Sequence, residues 1–279
     1  MRIAIISDIH GNLEALTATL KDIRKRNIDK IICLGDIIAK GNHSVECLKL
    51  IKDNCDMIIR GNCDRHFSET NHDIDKMSEI EEKRLKWNQS LLNKEQMKWL
   101  NNLPFCYEFM LNGSLVRVFH ATPWTDREPI LNEDSIETKY KMFLPTDKTI
   151  SQKRADIVLY GHIHHPFLDK IYNRTLINVG SVGFSFDVIR NKEKDANILE
   201  TTVANYLILE GDYGSKEYTE NGISFEFRRV KYDIEKELNC KTENPEKDNY
   251  SYELKNGMYG NMQKVNNNFK KLGIDSDKF

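Results

Sequence analysis

Five short apolar runs in this chain each break off at residues that can ligate a metal, and no other feature constrains the fold as much. Ile3-Ala4-Ile5-Ile6 leads into Ser7-Asp8-Ile9-His10-Gly11-Asn12. Lys30–Leu34 leads into Gly35-Asp36, Asp56–Arg60 into Gly61-Asn62-Cys63-Asp64, Leu115–Phe119 into His120, and Ile157–Tyr160 into Gly161-His162-Ile163-His164-His165-Pro166. Short β-branched runs punctuated by glycine and proline read as buried strands entering turns. His162 and His164 are separated by one residue, which sets their Cα atoms about 6–7 Å apart and lets both imidazoles face one side. Each strand end also has an ordinary reading: solvated turn histidines, a Gly-Asp turn, a turn asparagine, a helix cap at Asp8. Turn preference alone does not explain five in succession.

Between these runs the pattern turns helical. Asn12 precedes Leu13, Leu16, Leu20 and Ile23 at helical spacing and is the natural cap, so the helix over 13–26 does not need Asp8 for that role. Ser44–Lys52 places Val45, Leu48 and Ile51 on one face. Residues 66–102 are polar and helical, with Asn93 and Gln96 forming a capping box. Asn112-Gly113 predicts a hairpin between 107–110 and 115–119, and a second hairpin turns around Asn173-Arg174. Residues 122–153 read as loop and helix with the polar face outward, and 190–201 as a charged, mobile loop. Ala204–Leu209 and Ile223–Tyr232 are late antiparallel strands, and a helix starts within Asp233–Leu238. Residues 241–279 are an Asn- and Lys-rich extension, helical near Tyr250–Leu254 and loosely held over the last 20 or so residues.

The 279 residues can bury a sizeable core. A net charge of −2 gives no sign of bulk nucleic-acid binding, and no apolar run nears the roughly 20 residues of a membrane span. The first residues have no signal-peptide pattern. Cys33, Cys47, Cys55, Cys63, Cys106 and Cys240 form no CxxC pair. Reduced thiols and a cytoplasmic location are the expectation.

Strands alternating with helices imply an α/β chain with a largely parallel sheet near the N-terminus, and such sheets bind ligands at the carboxyl ends of their strands. The converging set is Asp8, His10, Asp36, Asn62, His120, His162 and His164. That is more than one tetrahedral site needs and enough for two ions sharing a carboxylate. Mixed oxygen and nitrogen donors suit Mn, Fe, Zn or Co, with Mn or Fe favoured, over Ca or an all-thiolate site.

Asp8-x-His10, Gly35-Asp36, Gly61-Asn62-x-Asp64, His120 and Gly161-His162-x-His164 resemble, in order and spacing, the five signature blocks of the calcineurin-like metallophosphoesterase superfamily. The likeness is to its small bacterial branch of stand-alone phosphodiesterases and phosphatases. Residues 87–104 and Asn178-x-Gly180-Ser181-Val182-Gly183 resemble that branch too. The resemblance implies a four-layer αββα sandwich with two central mixed sheets and a metallophosphoesterase domain over residues 1–240. Residues 66–102 and 122–153 would be insertions walling the site. It implies Asp8, His10, Asp36 and His164 on one metal, Asp36, Asn62, His120 and His162 on the other, with Asp36 bridging. The implied reaction is hydrolysis of a phosphodiester, phosphomonoester or nucleoside polyphosphate by a metal-bridging hydroxide, with Asp36 and Asn62 central to catalysis.

Cys63 stands where many relatives carry a histidine that assists the leaving group, and it reads more simply as a structural thiol than as a nucleophile. His66 and His165 are candidates to replace that acid, or are supporting and surface residues. Lys40 and Arg60 are candidate phosphate donors beside Asn62, or solvated rim residues. Ala39-Lys40-Gly41 departs from the Asp-Arg-Gly of the serine/threonine protein phosphatases, and Ala121 replaces a common glycine. The partner expected is a small phosphorylated molecule, with a nucleotide among the candidates; a dinucleoside tetraphosphate and a phosphoprotein compete within that reading. The competing class is a non-catalytic metal-binding interaction module on the same fold, such as the retromer subunit that resembles this superfamily.

Overall fold

Strand β1 (Arg2–Ile6) alternates between two cores. In this computed structural model, which describes residues 1–68, 78–186, 188–190 and 200–257, Ile3 and Ile5 enter one hydrophobic cluster while Ala4 and Ile6 enter another. A strand buried on both faces needs apolar residues at every position, which is why this run shows no polar alternation. Helix α1 (Leu13–Ile23) follows, with Asn12 capping it by accepting from the Ala15 amide. Then come β2 (Lys30–Cys33), α2 (Ser44–Asn54) and β3 (Met57–Ile58). Strands β1, β2 and β3 are parallel; β11 (Ala204–Glu210) runs antiparallel on the other side of β1, and β12 (Ser224–Val230) lies outside it, also antiparallel. The first sheet thus has the order β12-β11-β1-β2-β3.

The second sheet, β4-β5-β6-β8-β7, is built from the hairpin of β4 (Cys106–Leu111) and β5 (Ser114–Phe119), then β6 (Ile157–Tyr160) and the hairpin of β7 (Phe167–Ile171) and β8 (Arg174–Asn178). Strands β5, β6 and β8 are parallel, so their carboxyl ends open on one side. Ile3, Ile5, Leu207 and Leu209 of the first sheet pack with Val116, Val118, Ile157 and Leu159 of the second in a shared core. Helices α1 and α2 cover the outer face of the first sheet, their Leu16, Leu20, Leu48 and Ile51 packing with Ala4, Ile6, Tyr206 and Ile208. Helices α3 (Asn62–Ser68), α4 (Glu79–Leu91) and α5 (Lys94–Asn101) complete that flank, and α6 (Ile136–Lys141) packs beside β7. A two-stranded ladder of β9 (Val188–Arg190) and β10 (Glu200–Thr202), with α7 (Ile234–Leu238) and α8 (Lys247–Asn256), finishes the described chain. The fold is the expected pair of mixed five-stranded sheets between helical layers.

Several details differ from expectation. The third strand shrinks from Asp56–Arg60 to two residues, because the Asp56 carboxylate takes the Ile31 amide and the Arg60 amide turns to Pro104 O. Asn62 opens a helix rather than sitting in a turn. The second hairpin turns at Tyr172-Asn173, since Ile171 pairs with Arg174, whose guanidinium bonds Ala155 O and Asp156 and keeps it in the strand. Within 122–153 not every charge faces outward: Lys139 is buried, donating to Asn132 O and Asp169. Of the loop expected over 190–201, both flanks pair as β9 and β10 while 191–199 lies outside the described residues, as do 69–77 of the helical insertion and the tail from 258 onward. Among the described residues no helix is long and apolar enough to cross a membrane.

Candidate metal centre

The loops leaving β1 and β2 run side by side, zipped by backbone bonds from Asp8 N to Gly35 O, His10 N to Asp36 O and Gly11 N to Ile37 O. To turn successive side chains into one space, the backbone adopts left-handed φ at Asp8 (54°), His10 (49°), Asp36 (51°), His162 (68°) and His164 (60°). Non-glycine residues reach that region at a cost of roughly 1–3 kcal/mol each and are held there only by their surroundings. Those surroundings are tight. A Cβ on Gly61 would lie 2.1 Å from Asp36 Oδ1, and one on Gly161 would lie 2.0 Å from Ser7 Oγ. The Asn178–Gly183 block braces the same corner: Asn178 Nδ2 donates to Gly161 O, and Ser181 Oγ and the Gly183 amide donate to Asp8 O.

Each carboxylate commits one oxygen to an amide and presents the other. Asp8 Oδ2 accepts from His162 N at 2.9 Å, while Oδ1 is buried without a hydrogen-bond partner, 3.3 Å from His164 Nε2. Asp36 Oδ1 accepts from Cys63 N at 2.8 Å, and Oδ2 stands between His120 Nε2 (3.5 Å) and His10 Nε2 (3.6 Å). Three imidazoles are oriented from behind by backbone carbonyls: His120 Nδ1 by Leu34 O, His164 Nδ1 by Phe184 O and His162 Nε2 by Arg127 O. A ring nitrogen that donates outward leaves the other as an inward lone pair. The Asn62 amide then stands 3.1 Å from His120 Nε2 and 3.0 Å from His162 Nδ1, and His10 Nε2 stands 3.1 Å from His164 Nε2. With its NH2 inward, Asn62 would donate to both imidazoles. With its oxygen inward, three lone pairs face one point, the environment of a cation.

The electrostatics fit a cation too. Burial opposes ionisation of Asp8 and Asp36, but the imidazoles of His164 and His120 outweigh it and hold both carboxyls below their ordinary range. Burial pulls His10 and His164 down with help from Lys40, and pulls His162 down to about 4. At His120 burial is overcome by Asp36 and Asp8, which lift it to about 10, so its inward nitrogen holds a proton that a bound cation would displace. An orphaned buried carboxylate oxygen, inward lone pairs and an O/N donor set suit borderline divalent ions. Two of the donor groupings are Asp8-His10-His164 and Asp8-Asp36-His120.

One residue quoted in the motif received no role from the sequence. Asp64 is fully buried, and its carboxylate accepts from the amides of Asp36 (2.8 Å), Ile37 (2.8 Å) and Gly61 (3.0 Å), fastening the Asp36 loop to the start of α3. Burial and the neighbouring Asp36 push its carboxyl up, to about 7. The available signal was an acid in the first turn of a helix, where it can accept free amides.

A cavity of about 540 Å³ opens on the donors. His66, Phe67, Glu81 and Arg84 line it from the 66–102 segment, Arg127, Pro129 and Leu131 from the 122–153 segment, and Lys40 and Cys63 beside Asp36 and Asn62. His165 is exposed and is not among the lining residues, and Arg60 turns away to donate to Asn101 O at the end of α5. Neither is placed for the acid or phosphate role expected of it. Burial, then Asp36, pushes the Cys63 thiol well up, so it is no thiolate nucleophile.

The sequence profile of the calcineurin-like phosphoesterase superfamily domain matches residues 1–204. An uncharacterized protein of Methanocaldococcus jannaschii is 33% identical over 250 residues, 84% of this chain and 89% of that one. A symmetrical bis(5'-nucleosyl)-tetraphosphatase of Actinobacillus pleuropneumoniae is 27% identical over 139 residues, 45% of this chain and 48% of that enzyme. Among solved structures, a metallophosphoesterase from Sphaerobacter thermophilus superposes with a TM-score of 0.63 at 22% identity, covering 92% of this chain and all of that one. A hypothetical protein from Pyrococcus horikoshii reaches 0.68 at 17%, covering 93% and 99%. These two speak to the fold.

Proposed function

The chain belongs to the calcineurin-like phosphoesterase superfamily and is a phosphoester hydrolase, and from that premise we propose that it works with two divalent ions on a small phosphorylated substrate. Asp8, His10, Asp36 and His164 would hold one ion and Asp36, Asn62, His120 and His162 the other, with Asp36 common to both sets. The observation that carries this reading is the convergence of uncommitted lone pairs: Asp8 Oδ1, Asp36 Oδ2 and imidazole nitrogens whose opposite nitrogens donate to backbone carbonyls. When bound, such a pair of ions supplies Lewis acidity for phosphoryl oxygens and a water-derived nucleophile at neutral pH. The chain's own contribution is placement: amides from His162 and Cys63 fix the carboxylates, and carbonyls fix the rings.

A cavity of about 540 Å³ is within the range of small-ligand sites, and Lys40, Arg84 and Arg127 on its wall favour an anionic guest. That supports a small phosphodiester or a nucleoside polyphosphate over a phosphoprotein. The partial similarity to dinucleoside tetraphosphatases points the same way. The complete donor set argues against a non-catalytic interaction module.

Protein stripped with a chelator should not hydrolyse bis(p-nitrophenyl) phosphate and should regain turnover on reloading, with Mn²⁺ or Fe²⁺ the most effective and two ions bound per chain. Unchanged activity after stripping, or a single ion at full activity, would refute the dinuclear reading.

Cys63 shapes the substrate preference. Cys63 lines the cavity beside Asp36 and Asn62, and a thiol is a weaker proton donor to a leaving oxygen than an imidazolium, so an alkoxide leaving group departs without help. The enzyme should therefore favour aryl over alkyl esters. Cys63→His should raise turnover of glycerol 2-phosphate by about 10²-fold, the lower end of what general-acid catalysis supplies, while p-nitrophenyl phosphate changes little. Equal treatment of the two substrates by the wild type would end this account.

A further inference from the structure

The segment after β12 reaches back over the metal centre. Asn244 Nδ2 donates to Lys40 O at 2.7 Å and to Asn42 Oδ1 at 3.0 Å, holding the loop in which Lys40 has a left-handed φ of 62°. Glu246 Oε2 takes Arg84 Nη1 at 2.8 Å. Tyr250 stacks on Phe184 at 6.2 Å, and Phe184 in turn meets the rings of His10 and His164. Two cations of the cavity wall, from the 39–42 loop and from α4, are thus gripped by one short stretch of chain more than 150 residues away in sequence.

Both cations are set up to bind and not merely to solubilise. The Lys40 ammonium lies 4.3 Å from the Phe184 ring, beside the donors. The Arg84 guanidinium lies over Phe67 at 5.7 Å, and its Nε is buried without a hydrogen-bond partner among the described residues. A buried guanidinium N–H left unbonded is costly unless an acceptor arrives, and phosphate oxygens match the guanidinium fork. Glu81 also lines the cavity, but its Oε2 is taken by Ser78 N and Oγ.

We propose that Lys40 and Arg84 form a second anion subsite in this cavity, which takes a phosphate of the substrate other than the one being hydrolysed, and that Asn244 and Glu246 are positioning residues for it. The inference rests on the phosphoesterase reading of the same cavity and adds the substrate class: esters that carry at least two phosphates. The alternative is that the Arg84–Glu246 pair only pins α8 to α4. In that case removing the guanidinium alters stability but not the preference between ligands.

Calorimetric titration of metal-loaded protein with fructose 1,6-bisphosphate and with fructose 6-phosphate separates the two. The wild type should bind the bisphosphate at least about tenfold more tightly, the scale of one charge-assisted contact, and Arg84→Gln and Lys40→Gln should each abolish most of that ratio. Glu246→Gln should reduce the ratio and Glu246→Asp restore it, which a merely structural pin would not do. Arg84→Gln and Lys40→Gln lie on different elements, so a folding defect in one leaves the other to decide. The same ratio in the wild type and in the folded variants overturns the proposal. The affinity ratio and cleavage of the diester are separate readouts, so a preserved ratio-dependence in protein that fails to cleave the diester would fault the hydrolase reading and leave the subsite standing.

Discussion

Asp36→Asn is expected to lower turnover of bis(p-nitrophenyl) phosphate by at least about 10³-fold, the several kcal/mol that a two-ion site supplies. The substitution is isosteric, so the loss comes from the donor set. In the native site the two oxygens have separate tasks, Oδ1 for the Cys63 amide and Oδ2 for the space between His10 and His120. An asparagine can do only one. If its oxygen keeps Cys63 N, its NH2 points at the imidazole lone pairs and repels a cation. If it flips, two N–H groups face each other at Cys63. Metal analysis should find fewer than two ions per chain, and circular dichroism an unchanged fold. Two retained ions with activity within tenfold of the wild type would remove Asp36 from the centre of the mechanism.

The largest loss of stability is expected at a side chain that is not one of the donors. Arg117 is completely buried on β5, with Nε on Glu108, Nη1 on Phe143 O and Leu144 O, and Nη2 on Ser151 O and Lys153 O. One guanidinium therefore closes the whole 143–153 turn against the second sheet. Arg117→Met leaves the Glu108 carboxylate, itself 5% exposed, without a counter-charge and unpairs four carbonyls. Breaking a buried pair from one side costs about 3–5 kcal/mol. Urea denaturation should show that loss at unchanged m-value, and adding Glu108→Gln should recover part of it by removing the stranded charge. A loss below about 1 kcal/mol would mean that water reaches the turn and replaces the arginine.

Much of this site was readable because its chemistry sits at strand ends. A buried strand must be apolar, so Ile3–Ile6 and Ile157–Tyr160 announce themselves. A carboxylate or imidazole directly after such a run has to lie at the carboxyl edge of the sheet. What stayed hidden depends on partners distant in the chain. Nothing near Arg60 in the sequence says that its guanidinium turns to Asn101, and nothing near Arg84 says that its helix faces the cavity. The shortening of β3 follows from Asp56 diverting the Ile31 amide, a side-chain choice that strand propensity does not encode. Asn244 and Glu246 lie in the Asn- and Lys-rich extension, whose composition assigns them no partner, yet three specific bonds and the buried ring of Tyr250 tie it down. Asp64 was visible but silent: the motif contains it, while its work on the Asp36 loop is revealed only when the loop comes round to meet it.

The close approach of Gly61 to Asp36 and of Gly161 to Ser7 bears on how this sequence is free to drift. Carboxylate, amide and imidazole are partly interchangeable as donors, so a lineage can trade one for another and change its metal preference along the way. No side chain is interchangeable with a hydrogen atom where a carbon would come within about 2 Å of its neighbour. Two positions with little evolutionary latitude in this centre therefore contribute no chemistry, and the donors they make room for are the more negotiable part.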